Sequence, residues 1–214
     1  MPETTLLSGK AAAIRFENLD TDQIMPKQFL RGIDKAGLAA GVLHDHRFDA
    51  SGKPRDGFVL NRPEYAGTRI LVGGANFGCG SSREHAVWGL QQFGIDAVIA
   101  PSFGEIFYSN AMNNRLLLVA LPRRAVEQLM DDVEADSGNV VTIDIERLRV
   151  QAPAGEHAFE LSARHRRMFL EGLDMIGLSL RQRPEILRFM QDYWDRYPWN
   201  RDVARRTRER LGPA

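Results

Sequence analysis

Residues 70–121 read ILVGGANFGCGSSREHAVWGLQQFGIDAVIAPSFGEIFYSNAMNNRLLLVAL. The apolar runs Ile70–Val72, Ala97–Ala100 and Leu116–Leu121 alternate with two stretches of helical period. In the first stretch Ala86, Val87, Leu90 and Phe93 recur near every 3.6 residues, and Gly94 suits the carboxyl-terminal cap. In the second, Ile106, Phe107, Ala111 and Met112 do the same. The order is strand, helix, strand, helix, strand. Apolar runs without alternation suit strands buried on both faces, which predicts a parallel sheet with right-handed crossovers. Between the first strand and the first helix lies Asn76-Phe77-Gly78-Cys79-Gly80-Ser81-Ser82-Arg83. At such a junction backbone N–H groups lack helical partners and the helix dipole adds positive charge. Gly78 and Gly80 allow close approach to a ligand, the serines offer hydroxyls, and Arg83 offers a planar fork for a carboxylate or phosphate. An anion site is one reading. A serine that only caps the helix, beside a surface arginine, is the other, and spacing alone does not choose. No Gly-Lys-Ser/Thr comes after the loop, and the G-x-G-x-x-G fingerprint is not met, so neither nucleotide motif applies.

Outward from this stretch, 214 residues suffice to bury a sizeable core, and the formal net charge of +0 gives no nucleic-acid-binding surface and no argument for disorder. A single cysteine excludes a disulfide framework and suits a reducing cytosol. The segment Met1–Lys10 does not read as a signal peptide, and no apolar run reaches the length of a membrane span. Residues 1–193 are expected to form one domain, followed by an Arg-rich tail over 194–214.

Upstream, Ala11–Phe16 reads as a strand and Glu17–Asp22 as a polar turn, with Asp22 capping the next turn of chain. Ala36–Val42 reads as a short helix, the cluster His44, Asp45, His46 as a polar surface turn rather than a metal site, and Phe58–Leu60 as a short strand. Downstream, Arg123–Val133 is an amphipathic helix, and Val141, Ile143 and Ile145 alternate with Thr142 and Asp144 as a strand with one wet face. A hairpin turns at Pro153-Ala154-Gly155, Ser162 caps a helix running through Leu170, and Pro184–Tyr193 forms another helix. The tail carries Arg201, Arg205, Arg206, Arg208 and Arg210 among Asp202 and Glu209, which favours a frayed helix or a subunit contact over a nucleic-acid contact. Cys79 is one thiol where a four-iron cluster takes several, so it reads as a small loop residue. His85, in the first helical turn, reads as a hydrogen-bonded structural histidine. Asn110, Asn113, Asn114 and Arg115 read either as helix-ending residues or as residues lining the site.

The block Gly78-Cys79-Gly80-Ser81-Ser82-Arg83-Glu84-His85, followed by Ala100-Pro101-Ser102-Phe103, resembles the small-subunit family of 3-isopropylmalate dehydratase, the swivelling domain of the aconitase superfamily. Asn18-Leu19-Asp20-Thr21-Asp22-Gln23-Ile24, Pro26–Leu30, Gly172-Leu173-Asp174 and Ile176-Gly177-Leu178 extend the resemblance over most of residues 10–180. It implies an α/β fold of the swivelling three-layer β/β/α type, with a mostly parallel central sheet and a smaller antiparallel layer. The residue reading of a parallel core plus an antiparallel element is compatible.

The implied chemistry is dehydration and rehydration of a 2-hydroxy diacid, isopropylmalate in leucine biosynthesis. By resemblance Ser81 is the base, as an alkoxide, while Ser82 and Arg83 hold substrate carboxylate and Asp22 is a hydrogen-bond partner near the substrate. Phe29 and Leu30 would wall a pocket for the isopropyl group and Arg31 would pair with a carboxylate. Read from the residues alone, Phe29 and Leu30 are core and Arg31 is solvated. The resemblance also implies that this chain binds no cofactor of its own. A four-iron, four-sulfur cluster sits on a separate large subunit, and the active site forms where the Ser81 loop meets that partner in the cytoplasm. Two other readings stand beside this one. The same chemistry could act on another alkylmalate or homologous diacid, which the 29–32 loop would decide. A regulatory or RNA-binding module is the other, and neutral charge without an exposed aromatic–basic pattern argues against it.

Overall fold

A computed structural model of the chain describes residues 5–30 and 36–212. Its strands are β1 (Leu6–Ile14), β2 (Ile70–Gly73), β3 (Ala97–Ala100), β4 (Leu117–Ala120), β5 (Val140–Asp144), β6 (Arg149–Ala152) and β7 (Gly155–Ala158). They form one sheet in the order β4-β3-β2-β1-β5-β6-β7. Strand β1 joins its two halves. Ala11–Ile14 pair in parallel with Ile70–Gly73, and Leu6–Lys10 pair antiparallel with the run from Asp144 back to Val140. The parallel core and the antiparallel part expected from the sequence are both present, hydrogen-bonded through this shared strand.

Sequence explains the change of character along β1. Its second half, Ala11-Ala12-Ala13-Ile14, is small and apolar and wholly buried. Its first half carries Ser8 and Lys10 and is only partly covered, and Ser8 Oγ meets Thr142 Oγ1 of β5 at 2.8 Å. In β5 and just beyond it Val141, Ile143 and Ile145 are buried while Val140 is exposed, as the alternation predicts.

The helices in chain order are α1 (Thr21–Ile24), α2 (His44–Arg47), α3 (Glu84–Phe93), α4 (Glu105–Asn113), α5 (Arg123–Ala135), α6 (Ala163–Leu170), α7 (Met175–Arg181), α8 (Arg183–Arg196) and α9 (Val203–Leu211). Every residue of β2 and β3 is buried, so both faces of the parallel sheet are covered. Helices α3 and α4, which connect the parallel strands β2, β3 and β4, pack against each other. Helix α5 closes one face against β1, β2 and β3 with Val126, Leu129, Met130 and Val133. Gly94 ends α3 in the left-handed region at φ 105°, and Ser162 caps α6 by accepting from the His165 N–H, both as predicted.

Some expectations fail. Phe58–Leu60 is not a strand: Val59–Asn61 is a 3-10 turn, because Asn61 N donates to Phe58 O and Arg62 N to Val59 O locally, just before Pro63. The segment 36–42 holds a 3-10 turn over Leu38–Gly41 rather than an α-helix, entered through Gly37 at φ 76°. The His44–His46 cluster is a short helix whose two rings lie against phenylalanines, His46 stacked on Phe16 and His44 tilted against Phe29, instead of a polar turn. The chain falls into two compact units, Met1–Asp174 and Met175–Ala214. The division expected after residue 193 lies inside α8. Among the described residues no helix is long and apolar enough to cross a membrane.

Tyr65, buried at 5%, donates from its hydroxyl to Val133 O at 2.9 Å. That carbonyl belongs to the last turn of α5, where it has no helical donor. Tyr65→Phe is expected to cost about 1–3 kcal/mol, the penalty of an unpaired buried acceptor. Urea unfolding should show a lower midpoint with an unchanged slope.

Candidate active site

Three loops leave the carboxyl ends of neighbouring parallel strands and are stitched together by their backbones. After β1, Asn18 N donates to Ala75 O at 2.9 Å. The loop after β2 returns Gly78 N to Leu19 O at 2.7 Å and accepts Thr21 N on Cys79 O at 2.9 Å. On its other side, Phe77 N donates to Ser102 O at 3.0 Å and Gly104 N to Phe77 O at 2.9 Å, which binds in the loop after β3. Side chains add Asn76 Nδ2 to Asn18 Oδ1 at 2.8 Å and Asn76 N to Ser102 Oγ at 2.9 Å. The carboxyl edge of a parallel sheet is where α/β proteins place ligands.

Gly78 has φ +73°, and a Cβ there would lie 2.2 Å from Cγ of the buried Phe107. Its missing side chain therefore serves packing under the loop rather than approach by a ligand. Gly80, at φ +91°, turns the chain outward so that Ser81 and Ser82 are exposed. Helix α3 begins only at Glu84 with Arg83 at its N-cap, so neither serine caps it.

Ser81 Oγ donates to Asp22 Oδ1 at 3.1 Å, and Arg83 Nη1 pairs with the same oxygen at 2.8 Å. Thr21 Oγ1 donates to Ser81 O at 2.8 Å, which ties the serine to the start of α1. Arg83 Nη1 also reaches Met25 O at 3.4 Å. Its guanidinium carries further N–H groups on Nη2 and Nε in the geometry that suits a carboxylate. Asp22 is not the helix cap expected for it. Asp20 takes that role: Asp20 Oδ1 accepts Gln23 N at 2.7 Å and Gln23 Oε1 accepts Asp20 N at 3.0 Å, a capping box. That leaves the Asp22 carboxylate facing Ser81 and Arg83. The Asp-Thr-Asp-Gln spacing carried the signal, since an acidic residue three before a glutamine is the better cap.

Phe29 ends a 3-10 turn over Lys27–Phe29, its ring 4.9 Å from the His44 ring. Leu30 is half-buried, and both pack on the core. Arg31 lies outside the described residues. Gly41 seats the Phe29 ring: a Cβ at that position would meet Phe29 Cγ at 2.6 Å. His46 stacks on Phe16 with centroids 4.6 Å apart, and burial lowers its pKa below the usual imidazole value. Cys79 is half-buried and donates from Sγ to Asn18 O at 3.3 Å, while His85 lies against Trp88 with centroids 4.8 Å apart. Among the described residues no three His, Cys, Asp or Glu side chains gather to hold a metal ion.

The family model of the aconitase C-terminal domain matches residues 1–124. The 3-isopropylmalate dehydratase small subunit 1 of Chromobacterium violaceum is 60% identical over 97% of this chain and 98% of its own length. The 3-isopropylmalate dehydratase small subunit of Shewanella amazonensis is 49% identical over 94% of this chain and 100% of its own. The chain belongs to the 3-isopropylmalate dehydratase small-subunit family, within the aconitase C-terminal domain class. The crystal structure of 3-isopropylmalate dehydratase from Methanocaldococcus jannaschii aligns with TM-score 0.62 and 29% identity, covering 86% of this chain and 99% of that one. The Ser81 loop of this small-subunit-type chain lies inside the span matched by the aconitase-domain model.

Gly78→Ala tests whether the stitched loop needs this backbone. The substitution is strained by its φ and displaced by Phe107. It is expected to raise amide hydrogen exchange over residues 76–83 while far-ultraviolet circular dichroism stays at the wild-type level.

Proposed function

We propose that this chain is the small subunit of a two-chain hydro-lyase that interconverts 2-isopropylmalate and 3-isopropylmalate by dehydration and rehydration, in leucine biosynthesis in the cytoplasm. The observation that carries the reading is the meeting of Ser81 Oγ, Asp22 and Arg83 on one exposed loop of a chain of this family. Removing a proton from the carbon beside a carboxylate needs a base, clamps for the carboxylates and a Lewis acid on the departing hydroxyl. Ser81 is the base. Its hydroxyl is directed by Asp22 Oδ1, and the cationic Arg83 guanidinium on the same oxygen offsets the carboxylate charge that would otherwise oppose the alkoxide. Arg83 and Ser82 hold a substrate carboxylate, with Arg31 as a second cation in the loop after Phe29. Phe29 and Leu30 form the apolar wall for the isopropyl group, fixed from behind by His44 and Gly41.

The donor set of this chain does not suit an iron–sulfur cluster, since its one thiol is engaged with Asn18 O. A four-iron, four-sulfur cluster held by the partner large subunit would supply the Lewis acid for the hydroxyl. The exposed Ser81 loop faces that partner, and this chain alone is inactive. Turnover of another alkylmalate is the second reading, favoured by one feature: an apolar wall discriminates a methylene by only about 1–3 kcal/mol.

The test is an anaerobic assay with the reconstituted large subunit and 3-isopropylmalate, following absorbance of the unsaturated intermediate. Activity should require both chains, and Ser81→Ala should lower kcat by at least about 100-fold, the scale of a lost general base. Full activity in Ser81→Ala would remove Ser81 as the base. Turnover of a different alkylmalate alone would keep the chemistry and change the substrate.

Gly41→Ala probes the pocket wall separately. It pushes the Phe29 ring and Met25 Sδ, which lies 2.7 Å from the added Cβ. The expected outcome is a rise in KM for isopropylmalate larger than that for unsubstituted malate, with little change in kcat.

A further inference from the structure

The catalytic loop is well anchored at its start, but its last residues, Gly80 to Arg83, precede a helix whose N-cap side chain makes no capping bond. On one side Arg83 pairs with Asp22 and reaches Met25 O, and a second set of bonds holds the helix start from α4. Asn114, the residue that ends α4, does so through its carboxamide. Nδ2 donates to Glu84 Oε1 at 2.5 Å, and Glu84 is the first residue of α3, directly after Arg83. Oδ1 accepts from Trp88 Nε1 at 3.0 Å, one turn further on. The Asn114 backbone carbonyl accepts from Gln91 Nε2 at 2.8 Å, two turns on. The second Nδ2 proton goes to Asn110 O at 2.9 Å, a carbonyl that also accepts the Asn114 backbone N–H at 3.0 Å.

We propose that Asn114 is a positioning residue: its carboxamide ties successive turns of α3 to the end of α4 and so fixes where Ser81 and Arg83 stand. The proposal rests on the reading of Ser81 as the base. The chemistry requires an amide, because the two N–H groups and the carbonyl oxygen are all used at once. An aspartate at this position loses both donors and sets a carboxylate against Glu84. The isosteric exchange in the other direction, Glu84→Gln, supplies a new N–H donor to that carboxylate. A swapped pair should therefore restore the link that the single change breaks.

The experiment compares wild type, Asn114→Ala, Asn114→Asp and the double variant Glu84→Gln/Asn114→Asp, each assembled with the large subunit and assayed on 3-isopropylmalate. With kcat expressed per assembled complex, Asn114→Ala is expected to fall about 10- to 100-fold, as a misplaced catalytic group does. Asn114→Asp should fall further and the double variant should recover above it. A merely structural role would lower thermal stability or the assembled fraction and leave kcat per complex unchanged, and that result would overturn the proposal. So would a double variant no better than Asn114→Asp. A second readout does not depend on turnover: hydrogen exchange at residues 80–83 in Asn114→Ala should rise over wild type, and unchanged protection would overturn the proposal. Wild type inactive on every alkylmalate would instead sink the functional reading, and the exchange measurement would still decide this one.

Discussion

The backbone zipper across the carboxyl ends of β1, β2 and β3 is the constraint on which the site depends. It consists of N–H to carbonyl bonds from Asn18, Thr21, Phe77, Gly78 and Gly104, all between segments far apart in sequence. Such bonds fix relative positions without specifying side chains, so the loop can carry small and polar residues and still hold one shape. The parallel register beneath sets their spacing, since Ile14 stands opposite Gly73 and Val72 opposite Ile99. The fold beneath the zipper is thus apolar and buried, while the polar side chains Asp22, Ser81 and Ser82 stand on its rim.

Asp22 is the hinge of that rim. Its Oδ1 accepts from both Ser81 and Arg83. The Asp22 side chain is 57% exposed and that of Arg83 22%. An ion pair this open to water contributes only about 0–1 kcal/mol to stability. Stability therefore does not account for the arrangement. Direction does: one shared acceptor brings a hydroxyl and a guanidinium together on the same carboxylate oxygen and fixes where both stand.

The parallel core was legible because apolar runs without alternation have few other homes, and the Ser162 cap and the Gly94 terminator came from local chemistry. The Ser81–Arg83 loop was legible by its residues. Its wiring was not. The choice between Asp20 and Asp22 as cap turned on Gln23, whose side chain can reach back only to the residue three before it. The role of Asn114 was hidden for a different reason: its partners, Glu84 and Trp88, lie 30 and 26 residues away, and only the packing of α4 on α3 brings them together. The short strand expected at Phe58–Leu60 failed because β1, the strand it packs near, already pairs with β2 and β5 on its two edges, so the chain satisfied its backbone bonds locally.

Ser81 and Ser82 stand exposed, and that exposure limits what this chain can do alone. A hydroxyl proposed as a base gains little from a nearby cation in open water. At 4 Å two unit charges interact by about 1 kcal/mol in water and by about 4 kcal/mol at the effective dielectric near a protein surface. The cation beside Ser81 becomes effective only when another surface excludes solvent from the rim. Within Gly80–Arg83 the two serines are themselves open to solvent and leave the rim uncovered. An open, pre-oriented loop on a rigid edge is therefore the form expected of half an active site.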